Sequence, residues 1–87
     1  MSDILIVDDE RDIRELISDI LQDEGFTTRL AANATECMAR IGEELPSLMI
    51  LDIWLKDSDM DGIDILKQVK RDHPEVPIVI ISGHGNI

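Results

Sequence analysis

Ile4-Leu5-Ile6-Val7-Asp8-Asp9-Glu10 sets four consecutive apolar residues, three of them β-branched, directly before three carboxylates. A run that short and apolar at every position suits a strand covered on both faces, and the abrupt change to acidic residues marks where it leaves the core. The pattern recurs at Leu48-Met49-Ile50-Leu51-Asp52, and again at Ile78-Val79-Ile80-Ile81 before Ser82. Phe26 to Ala31 is a weaker version, interrupted by Arg29, and is expected at a sheet edge.

Between these runs the apolar spacing becomes helical. Ile13, Leu16, Ile17, Ile20 and Leu21 recur at i, i+3, i+4, i+7 and i+8, with Gly25 where a left-handed residue ends a helix, so a helix is predicted over about residues 11–24. Asn33 and Glu36 read as a capping box for a second helix carrying Ala34, Met38, Ile41 and Leu45 on one face up to Pro46. Ile65, Leu66 and Val69 predict a third, ending near His73 before Pro74. Strands alternating with amphipathic helices imply right-handed crossovers and a parallel sheet, the α/β class. In the strand order 2-1-3-4, the ends of the first, third and fourth strands are successive neighbours about 4.8 Å apart. A ligand site then lies outside their carboxyl ends.

With 87 residues the chain holds one domain. Hydrophobic residues at 44% and charged residues at 31% exclude both a disordered tract and a membrane span. Eight Lys and Arg against 19 Asp and Glu give a net charge of −11, which repels phosphate backbones and anionic lipid, so neither direct nucleic-acid binding nor membrane association is expected. The single Cys37 has no partner for a disulfide, and residues 1–6 carry no basic leader, which points to a cytoplasmic location.

The strand ends gather Asp8, Asp9, Asp52 and Ser82 at one pole. Two carboxylates roughly 5 Å apart repel by about 3 kcal/mol at an effective dielectric near 20, and a third adds to the cost. A hard divalent cation removes it, and Mg²⁺ characteristically takes one or two carboxylates together with waters and phosphoryl oxygens. Asp-Asp-Glu stands where a dinucleotide-binding fold carries G-x-G-x-x-G, so bare phosphate would be repelled. With the cation bound a phosphoryl group is attracted instead. Asp52, on the central strand end, is then placed to attack phosphorus in line, and the Ser82 hydroxyl to donate to a phosphoryl oxygen of the resulting acyl phosphate.

Taken in order, the Asp8-Asp9 pair, Asp52, the Asp61-Gly62 opening of the next helix and Ser82-Gly83 resemble the receiver domain of two-component response regulators. The resemblance implies a flavodoxin-like fold and phosphoryl transfer from the phosphohistidine of a sensor histidine kinase to Asp52. It implies Mg²⁺ held by Asp9, Asp52 and the backbone carbonyl of Trp54, with Asp8 assisting through water. It also implies a self-modifying phosphoacceptor that switches an output domain of the same full-length protein, not an enzyme with external turnover. Trp54-Leu55-Lys56 and Ser82 to Ile87 further resemble receivers of nitrogen-regulation activators of the NtrX kind, whose downstream parts work with σ54 polymerase. Receivers continue past the fourth strand with a helix, a fifth strand ending in a phosphoryl-contacting lysine, and a last helix. Residues 1–87 are therefore expected to be a receiver incomplete at its C-terminus, lacking the fifth strand and last two helices. The fourth strand would be an exposed edge open to homodimerisation. Lys56 is expected to be solvated and not to replace the lysine.

Plainer readings compete at each position. Asp8 and Asp9 would also suit helix capping. Asp57-Ser58-Asp59-Met60-Asp61-Gly62 matches the start of an EF-hand loop, but Gln68 stands where a bidentate Glu is needed and Asp64 where a hydrophobe is usual. Cys37 is expected to be a buried structural thiol, His73 a helix-end residue and His84 a solvated loop histidine. Two other functions use the same residues: a receiver-like interaction module that takes no phosphate, and a haloacid-dehalogenase-like phosphatase. The phosphatase needs two aspartates separated by one residue, whereas Asp8 and Asp9 are adjacent.

Overall fold

Each apolar run becomes a strand of one parallel sheet: β1 (Asp3–Val7), β2 (Thr27–Ala31), β3 (Leu48–Asp52) and β4 (Ile78–Ile81), in the order β2-β1-β3-β4. The crossovers are α1 (Arg11–Asp23), α2 (Ala34–Glu43) and α3 (Gly62–Asp72). The computed structural model describes residues 3–53, 55 and 61–81. The expectations placed on Trp54, Lys56, Asp57 to Met60, Ser82 and His84 fall outside these residues.

The register assigns side chains to the two faces. Leu5 lies beside Arg29 and Met49, and Val7 beside Ala31 and Leu51. Leu5, Val7, Ala31, Met49 and Leu51 join Cys37 and Ile41 of α2 and Ile65 and Val69 of α3 in one buried cluster. Ile4 and Ile6, also buried, have the opposite pleat and lie beside Thr28 and Leu30. Thr28 meets Ser18 of α1, so α1 covers this second face.

Local chemistry explains the helix ends. Gly25, at φ 95°, follows α1, and the N–H groups of Gly25 and Phe26 donate to Gln22 O and Leu21 O at 3.0 and 3.1 Å, the Schellman arrangement. This places Phe26 in the helix cap and not in β2, which begins one residue later than expected. Asn33 Oδ1 accepts from Glu36 N at 2.9 Å, and Glu36 reaches back to the N–H of Ala32 at 2.8 Å, one residue before its usual partner in a capping box. His73 is the C-cap of α3, its N–H donating to Val69 O.

The apolar stripe of α1 is less buried than its periodicity implies. Leu16 and Ile20 are 56% and 54% exposed, whereas Ser18 is buried. Ser18 Oγ lies 2.7 Å from Thr28 Oγ1, and Gln22 Nε2 donates to both hydroxyls, at 3.1 and 2.9 Å. A polar seam therefore fastens α1 to β2, and the helix is turned so that Leu16 and Ile20 lie at the margin of the contact. β4 is the end strand of the sheet among the described residues, and Val79 and Ile80 are 47% and 40% exposed.

Arg29 interrupts the apolar pattern of β2 because it ties the sheet to α2. Its guanidinium pairs with Asp3 at 2.7 Å and donates to the carbonyls of Arg40 and Glu44 at the end of α2, both at 2.7 Å. Cys37 is fully buried, and loss of solvation pushes its thiol from 9.0 up to about 12.

Two outcomes follow for stability. Arg29→Met leaves two helix-end carbonyls and Asp3 without this donor and lowers the unfolding free energy, read by urea titration, by about 1–3 kcal/mol. Between pH 9.0 and about 12 the unfolded chain loses a thiol proton that the folded chain keeps. Stability therefore falls as pH rises through that window. Cys37→Ala removes that component of the slope; equal slopes in the two proteins would contradict a buried, protonated thiol.

Candidate metal centre

β1 and β3 run in parallel with Val7 beside Leu51, so one step further brings Asp8 beside Asp52. Both strands have the same pleat at that step, and both carboxylates are fully buried. Asp52 is the last residue of β3, held beside Ile81, while Ile53 N–H donates to Ile81 O at 3.1 Å. Asp9 follows at the rim, half-buried. One carboxylate oxygen from each of Asp8, Asp9 and Asp52 lies within 4.8 Å of the others.

The turn after β1 is tightly specified. Asp8 N–H donates to Ala31 O at 3.1 Å, continuing the ladder to β2. Asp8 Oδ1 accepts from Glu10 N–H at 2.9 Å, an Asx turn, and the Asp8 carbonyl accepts from Arg14 Nη1 at 2.7 Å. The N-cap position of α1 is Glu10, whose own side chain makes no capping bond.

On the other side of Asp52, the first residue of α3 leans on the chain that leaves β3. A Cβ on Gly62 would fall 2.6 Å from Asp52 O and closer still to Ile53 Cα. Asp61 caps the helix, its Oδ1 accepting from Asp64 N–H at 2.9 Å. Because residues 62–72 are helical from the glycine onward, the segment cannot be an EF-hand loop, where that glycine makes a turn and ligands follow it.

A donor set made only of carboxylate oxygens, two of the three groups buried, suits a hard divalent cation. Ligands on opposite sides of one Mg²⁺ lie about 4.2 Å apart. Three carboxylate oxygens within 4.8 Å of one another could share one such ion, directly or through a bound water. Asp8, Asp9 and Asp52 are thus brought together as the sequence predicts, while Trp54 and Ser82 lie outside the described residues. Sequence reasoning missed Arg14, which helical spacing puts at the edge of the apolar stripe beside Leu21, and the close approach at Gly62. The glycine at a helix entry was the available signal for the latter.

Residues 4–87 match the family model for the response regulator receiver domain. The chain is 55% identical over 85 residues to the nitrogen assimilation regulatory protein NtrX of Azorhizobium caulinodans, covering 98% of this chain and 19% of that protein. It therefore spans about a fifth of the length of the curated relatives it first matches. Among solved structures, the receiver domain of NtrX from Brucella abortus superposes with a TM-score of 0.91 at 53% identity, covering 95% of this chain and 69% of that one. The response regulator TrrA from Thermotoga maritima, in complex with Mg(2+)-BeF, gives 0.88 at 30% identity, covering 95% and 70%.

The crowding of like charges makes a signed prediction. In EDTA, Asp52→Asn raises the urea unfolding free energy by about 1–3 kcal/mol, against the usual cost of changing a buried residue, because it removes a repulsion of that order. A loss of stability would contradict it. Gly62→Ala costs about 1–3 kcal/mol through the clash with the peptide after Asp52. Gly42→Ala, in α2 with no atom within 4 Å of the new methyl, is neutral or stabilising by up to about 1 kcal/mol.

Proposed function

Because this chain belongs to the response regulator receiver domain family, we propose that it works as the phosphoacceptor of a two-component signalling system, with Asp52 the residue phosphorylated. The observation that carries this reading is the register that brings buried Asp52 beside buried Asp8, with Asp9 at the rim. Asp8, Asp9 and Asp52 would hold Mg²⁺. The Mg²⁺-BeF complex of TrrA, a relative of the same fold, supports that assignment. The Trp54 carbonyl is the further ligand that the family resemblance supplies.

When bound, the cation supplies the positive charge that lets an anionic phosphoryl group approach three carboxylates. The chain's own part is positional. An Asp52 oxygen forms a bond to phosphorus as the P–N bond to the donor histidine breaks in line, and the electron pair of that bond stays on the imidazole nitrogen. Asp52, fixed at the end of a central strand, meets the donor with little freedom left to lose. Ser82 would donate its hydroxyl to the transferred group, and that new hydrogen bond would be the switch that an output domain senses. Partners on this reading are a sensor histidine kinase and the output portion of a longer protein, in the cytoplasm. The domain modifies itself without external turnover, and the edge that β4 forms among the described residues, with Val79 and Ile80, is the candidate surface for a homodimer.

Incubation with Mg²⁺ and a small phosphodonor such as acetyl phosphate adds one phosphoryl group by mass spectrometry, and EDTA or Asp52→Asn abolishes the gain. A folded sample that gains nothing contradicts the proposal and favours a phosphate-independent interaction module.

A further inference from the structure

Asp8 and Asp9 share one peptide plane, whose carbonyl belongs to Asp8 and whose N–H belongs to Asp9. The orientation of that rigid unit fixes ψ of Asp8 and φ of Asp9, the two dihedrals that set the direction in which the chain carries Asp9 away from Asp8. β1 ends at Val7, one residue before this plane. Arg14, in the first turn of α1, reaches back six residues and its Nη1 donates to the Asp8 carbonyl at 2.7 Å, in a half-buried setting. The other bonds given above hold the Asp8 N–H to Ala31 and its Oδ1 to Glu10. The Arg14 bond is made by a charged side chain to the shared plane itself.

We propose that Arg14 is a positioning residue for the cation site: by pinning the Asp8–Asp9 peptide it aims both aspartates at the point where Asp52 converges. The inference rests on the proposed Mg²⁺ reading and extends it to a residue that touches neither metal nor phosphoryl group. The guanidinium has two effects of opposite sign on a cation. Its charge repels the ion through solvent, and its hydrogen bond organises the ligands. The account requires the second to win, as is usual for groups that orient metal ligands.

The test is Mg²⁺ titration calorimetry on the chain and on Arg14→Met and Arg14→Lys. Arg14→Met weakens binding by about 10-fold, and the loss persists at high salt, where a through-solvent charge effect is screened. Arg14→Lys, which keeps the charge but not the planar donor, recovers part of the affinity and serves alone where Arg14→Met does not fold. In the metal-free chain, amide exchange at Glu10 accelerates in Arg14→Met. Ser18→Ala, which loosens the α1–β2 seam elsewhere, lowers the urea midpoint but leaves Mg²⁺ affinity unchanged. Binding by Arg14→Met as tight as or tighter than wild type, or an equal loss in Ser18→Ala, overturns the inference. Absence of Mg²⁺ binding by the unmodified chain instead removes the proposed function, and Glu10 exchange then still decides whether Arg14 holds the turn.

Discussion

The parallel register of β1 and β3 is the constraint on which the rest depends. With Val7 set beside Leu51, the next residue of each strand is an aspartate on the same face, and the two cannot be separated without slipping the ladder. A slip of one residue would turn either Leu5 and Val7 or Met49 and Leu51 out of the core they share with α2 and α3. Hydrophobic burial therefore enforces an electrostatically unfavourable contact. Stability from the core is what keeps two buried carboxylates together, and on the proposed reading a cation is what makes their proximity useful.

The surroundings are organised around that contact. Asp8 is held at its N–H, its carbonyl and one carboxylate oxygen. Asp52 is bounded on its C-terminal side by the approach of Gly62, which brings the start of α3 against the Asp52–Ile53 peptide. At the opposite end of the sheet, Arg29 and Asp3 fasten β2, β1 and α2 without entering the acidic pole. The described residues thus have a clasped end and an acidic end, and the acidic end is where ligands sit in sheets of parallel strands.

Much of this was legible in the sequence because two strong periodicities carry it. Apolar runs that stop at carboxylates located β1 and β3, the alternating helices implied a parallel sheet, and the receiver resemblance went with its strand order; Gly25 and Asn33 marked helix ends through chemistry that does not depend on tertiary context. What was not legible came from interactions between elements. Ser18, a polar residue on a helix, is buried because Thr28 and Gln22 satisfy its hydroxyl, and no helical repeat encodes that partnership. Leu16 and Ile20 follow the repeat yet remain exposed. Arg29 looked like a flaw in a strand and is a clasp, since its value lies in carbonyls at the far end of α2. At the site, the three aspartates were readable from their places at strand ends, whereas Arg14 acts through a backbone oxygen and leaves no motif.

The most direct measurement is paramagnetic broadening of the amide spectrum by substoichiometric Mn²⁺. If one cation is shared by aspartates from two strands, the amides of residues 8–10 and of 52 and 53 broaden together, at the same metal concentration, and Mg²⁺ restores them together. Broadening spread over the acidic helix surfaces, or confined to one of the two strand ends, would contradict the shared site.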